Sequence, residues 1–242
     1  VQKICNEINY PLVPPTVSCL SKEYYQIYPG FNLLCVPLLE GEFLLHLPDL
    51  YHELGHPIIH VENNPKTEKF VEQLGKFYFL VKKHFDKLID DDVRNSQGRI
   101  KDYYQLWKGC WGEWIIEFFC DLYGVCTLGP AYCWSHLHLS AKQGGDPFGV
   151  PKYQKSTHPN DHARMLVITY ALELMGYSDE KDLILKKWEF LNNITTYQKG
   201  SSFKLAYPDE LLQLCAIVGL VATKSIGGSI ANTSSSGVIF HP

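Results

Sequence analysis

Trp111-Gly112-Glu113-Trp114-Ile115-Ile116-Glu117-Phe118-Phe119-Cys120-Asp121-Leu122-Tyr123-Gly124-Val125 is the stretch from which the fold can be read. It completes a predicted helix from about Ile100 to Val125 that is apolar almost all round, with Trp107, Trp111, Trp114, Ile115, Ile116, Phe118, Phe119 and Leu122. A helix without a polar face is a central, buried one. Three carboxylates interrupt it. Glu113, Glu117 and Asp121 recur at every fourth position and so share one face. Burying carboxylates is unfavourable unless they pair or coordinate. The stretch therefore predicts a helical core with a line of candidate ligands along its central element.

Outward from this helix the pattern stays mainly helical. From Pro65 to about Asp92, Phe70, Leu74, Phe77, Val81, Phe85 and Leu88 mark one apolar face, read as core packing in preference to a coiled-coil seam. Three further helices are expected near 161–176, 180–194 and 208–224, after a polar, Gly-rich loop from Gln143 to Thr157. Toward the N-terminus, residues 1–30 read as irregular, punctuated by Pro11, Pro14, Pro15 and Pro29. Residues 31–39 read as a short strand, which Pro37 assigns to an edge. A turn at Glu40-Gly41-Glu42 follows, and then a helix with Asp49 as its N-cap and Pro57 as its end. The tail from Gly227 to Pro242 is Gly/Ser-rich and expected to be loosely held. The fold class expected is mainly α with a small edge β element, in one domain covering 1–242.

Composition narrows the function. The chain has 242 residues, 45% of them hydrophobic, and 26 acidic against 22 basic side chains. That is a globular composition, and the acidic excess argues against nucleic acid as the main partner. Leu211 to Ala222 is the most apolar run; it contains Gln213 and falls short of the about 18–20 residues of a membrane span. The eight cysteines include no C-x-x-C pair, and Cys120, Cys126 and Cys133 lie in apolar surroundings. They read as core residues in a reducing compartment, which makes the expected location cytoplasmic.

His52-Glu53-Leu54-Gly55-His56 is an HExxH sequence on the helix after the strand. Histidines at i and i+4 project from one face and can bind one Zn²⁺, with the intervening Glu beside the metal. A zinc hydrolase also needs a third protein ligand, for which the central helix offers Glu113, Glu117 and Asp121. The strand ahead of the helix is expected to bind extended substrate by edge pairing. His46, His60, His136, His138 and His162 read as structural.

Two further elements carry a resemblance. Glu117-Phe118-Phe119-Cys120-Asp121-Leu122-Tyr123-Gly124 resembles the E-F-x-x-D-x-x-G element of HExxH peptidases whose third ligand is Glu. Ser156-Thr157-His158-Pro159 with Arg164 is similar to their S-T-H-P-x-x-x-x-R element. Together, and in this order, the three resemble the gluzincin-type HtpX and CAAX prenyl protease metallopeptidases. The resemblance implies a zincin-like core with one Zn²⁺ on His52, His56 and Glu117, and the E-x-x-x-D pattern selects Glu117 over Glu113. It implies Glu53 as general base, Asp121 as hydrogen-bond partner of a ligand histidine, and His158 as stabiliser of the oxyanion. Arg164 would pair with a buried carboxylate or hold substrate backbone. The activity implied is zinc-dependent endopeptidase action on a protein or peptide substrate. Those families usually carry membrane-spanning helices, and this sequence shows none, so membrane-bound substrates do not carry over. The alternative is a catalytically inactive zincin scaffold serving binding or regulation; an intact Glu53 argues against it. The sequence leaves substrate identity and oligomeric state open.

Overall fold

The computed structural model describes residues 1–21, 25–37, 44–96, 98–151, 155–227, 230–234 and 237–241. It is mostly helical, with a small three-stranded sheet. The turn expected at Glu40-Gly41-Glu42 lies outside the described residues.

The predicted central helix is central, but it is not continuous. It comprises α4 (Ile100–Leu106), a π-helical turn at Trp107–Trp111 and α5 (Gly112–Leu128). The wider turn buries Trp107, Cys110 and Trp111 together. It also presents the Gly109 carbonyl to the Ser156 N–H at 3.2 Å, fastening the segment that leads to His158. Every α5 residue from Trp114 to Thr127 is buried except Ile116, which is partly so.

Around α5 pack α2 (Leu47–His60), α3 (Glu68–Asn95), α6 (Pro130–Gln143), α7 (Asp161–Leu174) and α10 (Asp209–Ser225). The predicted α3 face is the buried one: Phe70, Phe77, Val81 and Phe85 are fully enclosed, against α10 and α5. α8 (Ser178–Ile194) lies on α6 and α7, and the short α9 (Ser201–Ala206) brings Ala206 to accept the Trp111 indole N–H at 2.9 Å.

Several sequence expectations need correction. Residues 1–30 are not irregular: they hold α1 (Gln2–Glu7), β1 (Thr16–Ser21) and β2 (Gln26–Tyr28). Pro11, Pro14 and Pro15 fall between α1 and β1, and Pro29 follows β2 at the start of a 3₁₀ turn, so none of them interrupts an element. β3 (Leu33–Pro37) is the middle strand, order β1-β3-β2, and not an edge. Its pairing with β2 ends at Cys35, and Pro37 meets only Ser21 beyond an irregular register, so no regular ladder needs its missing N–H.

α2 begins at Leu47, placing Asp49 in its first turn and not at the cap, and it continues through Pro57 to His60. Pro57 lies in the last turns, where losing one amide is tolerable and its carbonyl still accepts the Val61 N–H at 3.0 Å. The tail contains β4 (Ile230–Ser234) and β5 (Gly237–His241), paired antiparallel.

None of the eight cysteines forms a disulfide, and all but Cys19 are buried. Among the described residues, no helix is long and apolar enough to cross a membrane.

Candidate metal centre

The site lies where α2 crosses α5. Gly55 makes the crossing close: a Cβ there would sit 2.9 Å from the Cys120 Cα and 3.0 Å from its Sγ. Side chains on either side of this contact, His52 and His56 from α2, Glu117 and Asp121 from α5, are thereby brought face to face.

His52 is buried and held at both ring nitrogens. Nδ1 lies 2.8 Å from Asp121 Oδ1, and Nε2 lies 3.2 Å from Glu117 Oε2. Burial alone would lower its pKa, but Asp121 and Glu117 outweigh burial and push it up to about 10. His56 Nε2 is 3.9 Å from Glu117 Oε1. Burial and the neighbouring His52 push His56 down to about 4, leaving a neutral ring with a lone pair to give. The two rings meet edge to face with centroids 5.1 Å apart. His158 Nε2 approaches the same Glu117 oxygen at 3.5 Å from the solvent side, its side chain 65% exposed. Its Nδ1 is 2.9 Å from Thr157 Oγ1.

Glu117 is therefore a nearly buried carboxylate facing three imidazoles. Burial would raise its pKa, but His52, His158 and His56 hold it below its ordinary value. Its Oε2 is sealed from solvent and has no directed hydrogen bond, despite the proximity of His52. Such an orphaned anionic oxygen among imidazole nitrogens suits a cation. Donors about 2.0–2.3 Å from one tetrahedral ion lie roughly 3.3–3.8 Å from one another. The separations at Glu117 are of that size.

Glu53, beside His52 on α2, is engaged by the sheet. Its Oε2 accepts the Ile27 N–H of β2 at 2.9 Å. Burial, reinforced by Glu117 and Asp49, pushes Glu53 up to about 7 against the lowering effect of His52 and of this hydrogen bond. The edge that meets the site is thus that of β2, with its Ile27 amide engaged by Glu53; both edges of β3, the strand expected to take substrate, are already paired.

Asp121 is wholly enclosed and carries four contacts. Arg164 donates from Nε to Oδ2 at 2.8 Å and from Nη2 to Oδ1 at 2.6 Å, while Tyr132 donates to Oδ1 at 2.6 Å, beside His52 Nδ1. Burial opposes its ionisation, but Arg164 and then His52 hold it well below the usual carboxylate range. Asp121 is thus an anion that fixes the His52 ring and tautomer. Arg164 neutralises it.

Glu113 is not brought in. It is half-exposed at the start of α5 and pairs with Lys155 at 2.6 Å, so the stripe of three carboxylates is buried only at Glu117 and Asp121. Sequence reasoning also missed two participants. Tyr132 is directed at Asp121 across Gly124, where a Cβ would meet the ring at 2.4 Å. Cys120 belongs with His52 and His56 to a group that can hold a metal ion, their donor atoms all within 4.8 Å of one another. The available signal was its position, three residues after Glu117 on the same face. Compared with protein-family models, curated proteins and solved structures, the chain finds no match.

Proposed function

We propose that the chain is a zinc-dependent endopeptidase with a zincin-like core, holding one Zn²⁺ on His52, His56 and Glu117. The observation that carries this reading is that two histidines face the two oxygens of one buried carboxylate, Oε2 of which is orphaned, with Asp121 orienting His52 from behind. The ion, when bound, supplies Lewis-acid chemistry, acidifying water and polarising a carbonyl. Glu53, with its pKa pushed up to about 7, is suited to take a proton and return it to a leaving amine near neutral pH. His158, exposed on the solvent side, is placed to donate to a developing oxyanion. Asp121, itself held by Arg164 and Tyr132, would keep the His52 Nδ1 proton, so that an ion displacing the proton at Nε2 would find that nitrogen facing it.

The test combines zinc content with cleavage of unfolded casein by wild type and Glu53→Gln. The expected result is one zinc per chain in both proteins, with cleavage lowered about 10²–10⁴-fold in the variant. Equal cleavage would remove Glu53 as the base. A chain without zinc, and without a higher melting temperature when zinc is added, would remove the metal centre. One observation favours the second reading, a zinc-holding module without catalysis: the Glu53 carboxylate is already engaged by the Ile27 amide. Zinc binding with no cleavage would select it.

A further inference from the structure

We infer that Cys120 is a fourth donor to the metal, so that the resting site is a closed set of His52, His56, Glu117 and Cys120. This rests on the zinc reading above and concerns how that site is regulated. Cys120 follows Glu117 by three residues on α5, so its side chain emerges one turn along the same face. It is pressed against Gly55, which lies between the two ligand histidines, with Sγ 3.0 Å from the place a Cβ would occupy. Its Sγ and the donor atoms of His52 and His56 lie within 4.8 Å of one another. That is within about 1 Å of the roughly 3.6 Å expected between sulfur and nitrogen on one tetrahedral zinc. Glu117 borders the same group with both oxygens, Oε2 at 3.2 Å from His52 and Oε1 at 3.9 Å from His56.

Two of the four donors come from α2 and two from α5. Cys120 is fully enclosed and reaches the site from the α2–α5 interior, whereas His158 borders it from solvent. A thiolate in the set favours zinc over hard ions such as Mg²⁺ or Ca²⁺. Four protein donors also leave no open position, which is the arrangement of structural zinc sites. Turnover would then pass through displacement of Cys120, the step that would open a position for water or substrate.

X-ray absorption at the zinc edge tests this on the full chain, with absorption spectra of the Co²⁺-loaded protein alongside. The expected result is one sulfur at about 2.3 Å beside nitrogen and oxygen at about 2.0–2.1 Å, with a near-ultraviolet thiolate-to-cobalt band. Cys120→Ser should lose both signals while keeping one metal per chain. Cys126→Ser and Cys133→Ser, at the other cysteines of α5 and α6, should keep both; loss of the sulfur signal in either would overturn the assignment to Cys120, whether or not Cys120→Ser folds. A wild-type shell of nitrogen and oxygen alone, without the band, overturns the role of Cys120 and leaves the zinc reading intact. Absence of bound metal overturns both.

Discussion

Arg164→Met removes the cation from beneath the site and leaves nearly everything else in place. Arg164 makes two hydrogen bonds to Asp121, at 2.8 and 2.6 Å, and Asp121 has no exposed surface. Methionine fills most of the aliphatic volume, so the change isolates charge from packing. Removing one partner of a buried pair costs about 3–5 kcal/mol, because the remaining ion keeps its desolvation penalty without its counter-charge. Tyr132→Phe serves as a control. It removes one neutral donor to the same oxygen, a loss of about 1.5–3 kcal/mol. For a domain of this size each kcal/mol shifts Tm by roughly 2–4 °C, so Arg164→Met should lower Tm by about 6–20 °C. Urea unfolding followed by circular dichroism, with and without added zinc, would measure both variants. Zinc affinity should fall as well, since Asp121 would be drawn toward His52 and the ring would lose its fixed geometry. An Arg164→Met loss below about 1 kcal/mol, or one smaller than that of Tyr132→Phe, would refute the claim that the pair is buried and coupled.

Glu117→Ala should abolish tight zinc binding in a competition titration while Glu113→Ala, whose carboxylate faces Lys155, retains it; the reverse result would move the third ligand by one turn. Gly55→Ala places a methyl 2.9 Å from the Cys120 Cα, which forces α2 and α5 apart; the expected loss is about 1–3 kcal/mol by urea unfolding, together with weaker zinc binding. A third expectation concerns pH. Burial, then Lys199, pushes His162 down from 6.5 to about 4, and its Nδ1 accepts the Trp188 indole N–H at 2.8 Å. Between these values the unfolded chain takes up a proton that the folded one refuses, so this contribution is complete above pH 6.5 and is lost as pH falls toward 4. It is worth up to about 3 kcal/mol, less what solvent screening removes. His162→Gln keeps an acceptor for Trp188, and its urea midpoint should fall less steeply than that of wild type over this window; parallel curves would refute the assignment.

What could be read from the sequence follows from which interactions are local. The buried face of α3 and the apolar girth of α5 are periodicities within one element, so Phe70, Phe77, Val81 and Phe85 were identifiable before any tertiary contact was known. His52 and His56 share a face by helix geometry alone. The strand order was not legible, because Pro37 is excluded only from a ladder that continues past it, and where β2 stops is a tertiary fact. The π turn at Trp107–Trp111 was hidden for a related reason. Its spacing of large apolar residues is compatible with an unbroken α-helix, and the Ser156 contact to Gly109 comes from a distant segment. In the sequence Cys120 has the signature of a core residue, since a thiol and a small apolar side chain are alike in pattern and only the histidines across the helix crossing distinguish them. Tyr132 gave no signal at all; its place depends on the gap left by Gly124.

The charges at the helix crossing explain why the candidate site sits at Glu117 and not along the whole stripe. Each of the three α5 carboxylates has met a different fate. Glu113 reached solvent and found Lys155, and Asp121 was enclosed with Arg164, giving a pair without net charge. Glu117 has neither outlet: among the described residues no lysine or arginine pairs with it, and the groups around it are imidazoles. A buried carboxylate in that position requires positive charge from a proton or a metal ion. The proton solution places it on His52, as its raised pKa indicates, but it leaves His56 neutral and Glu117 Oε2 without a directed bond. One divalent cation would meet all three demands at once. It would supply the charge, engage both histidines through their lone pairs and satisfy the orphaned oxygen. The electrostatics of the α2–α5 crossing would therefore favour a bound cation whatever the sequence between His52 and His56.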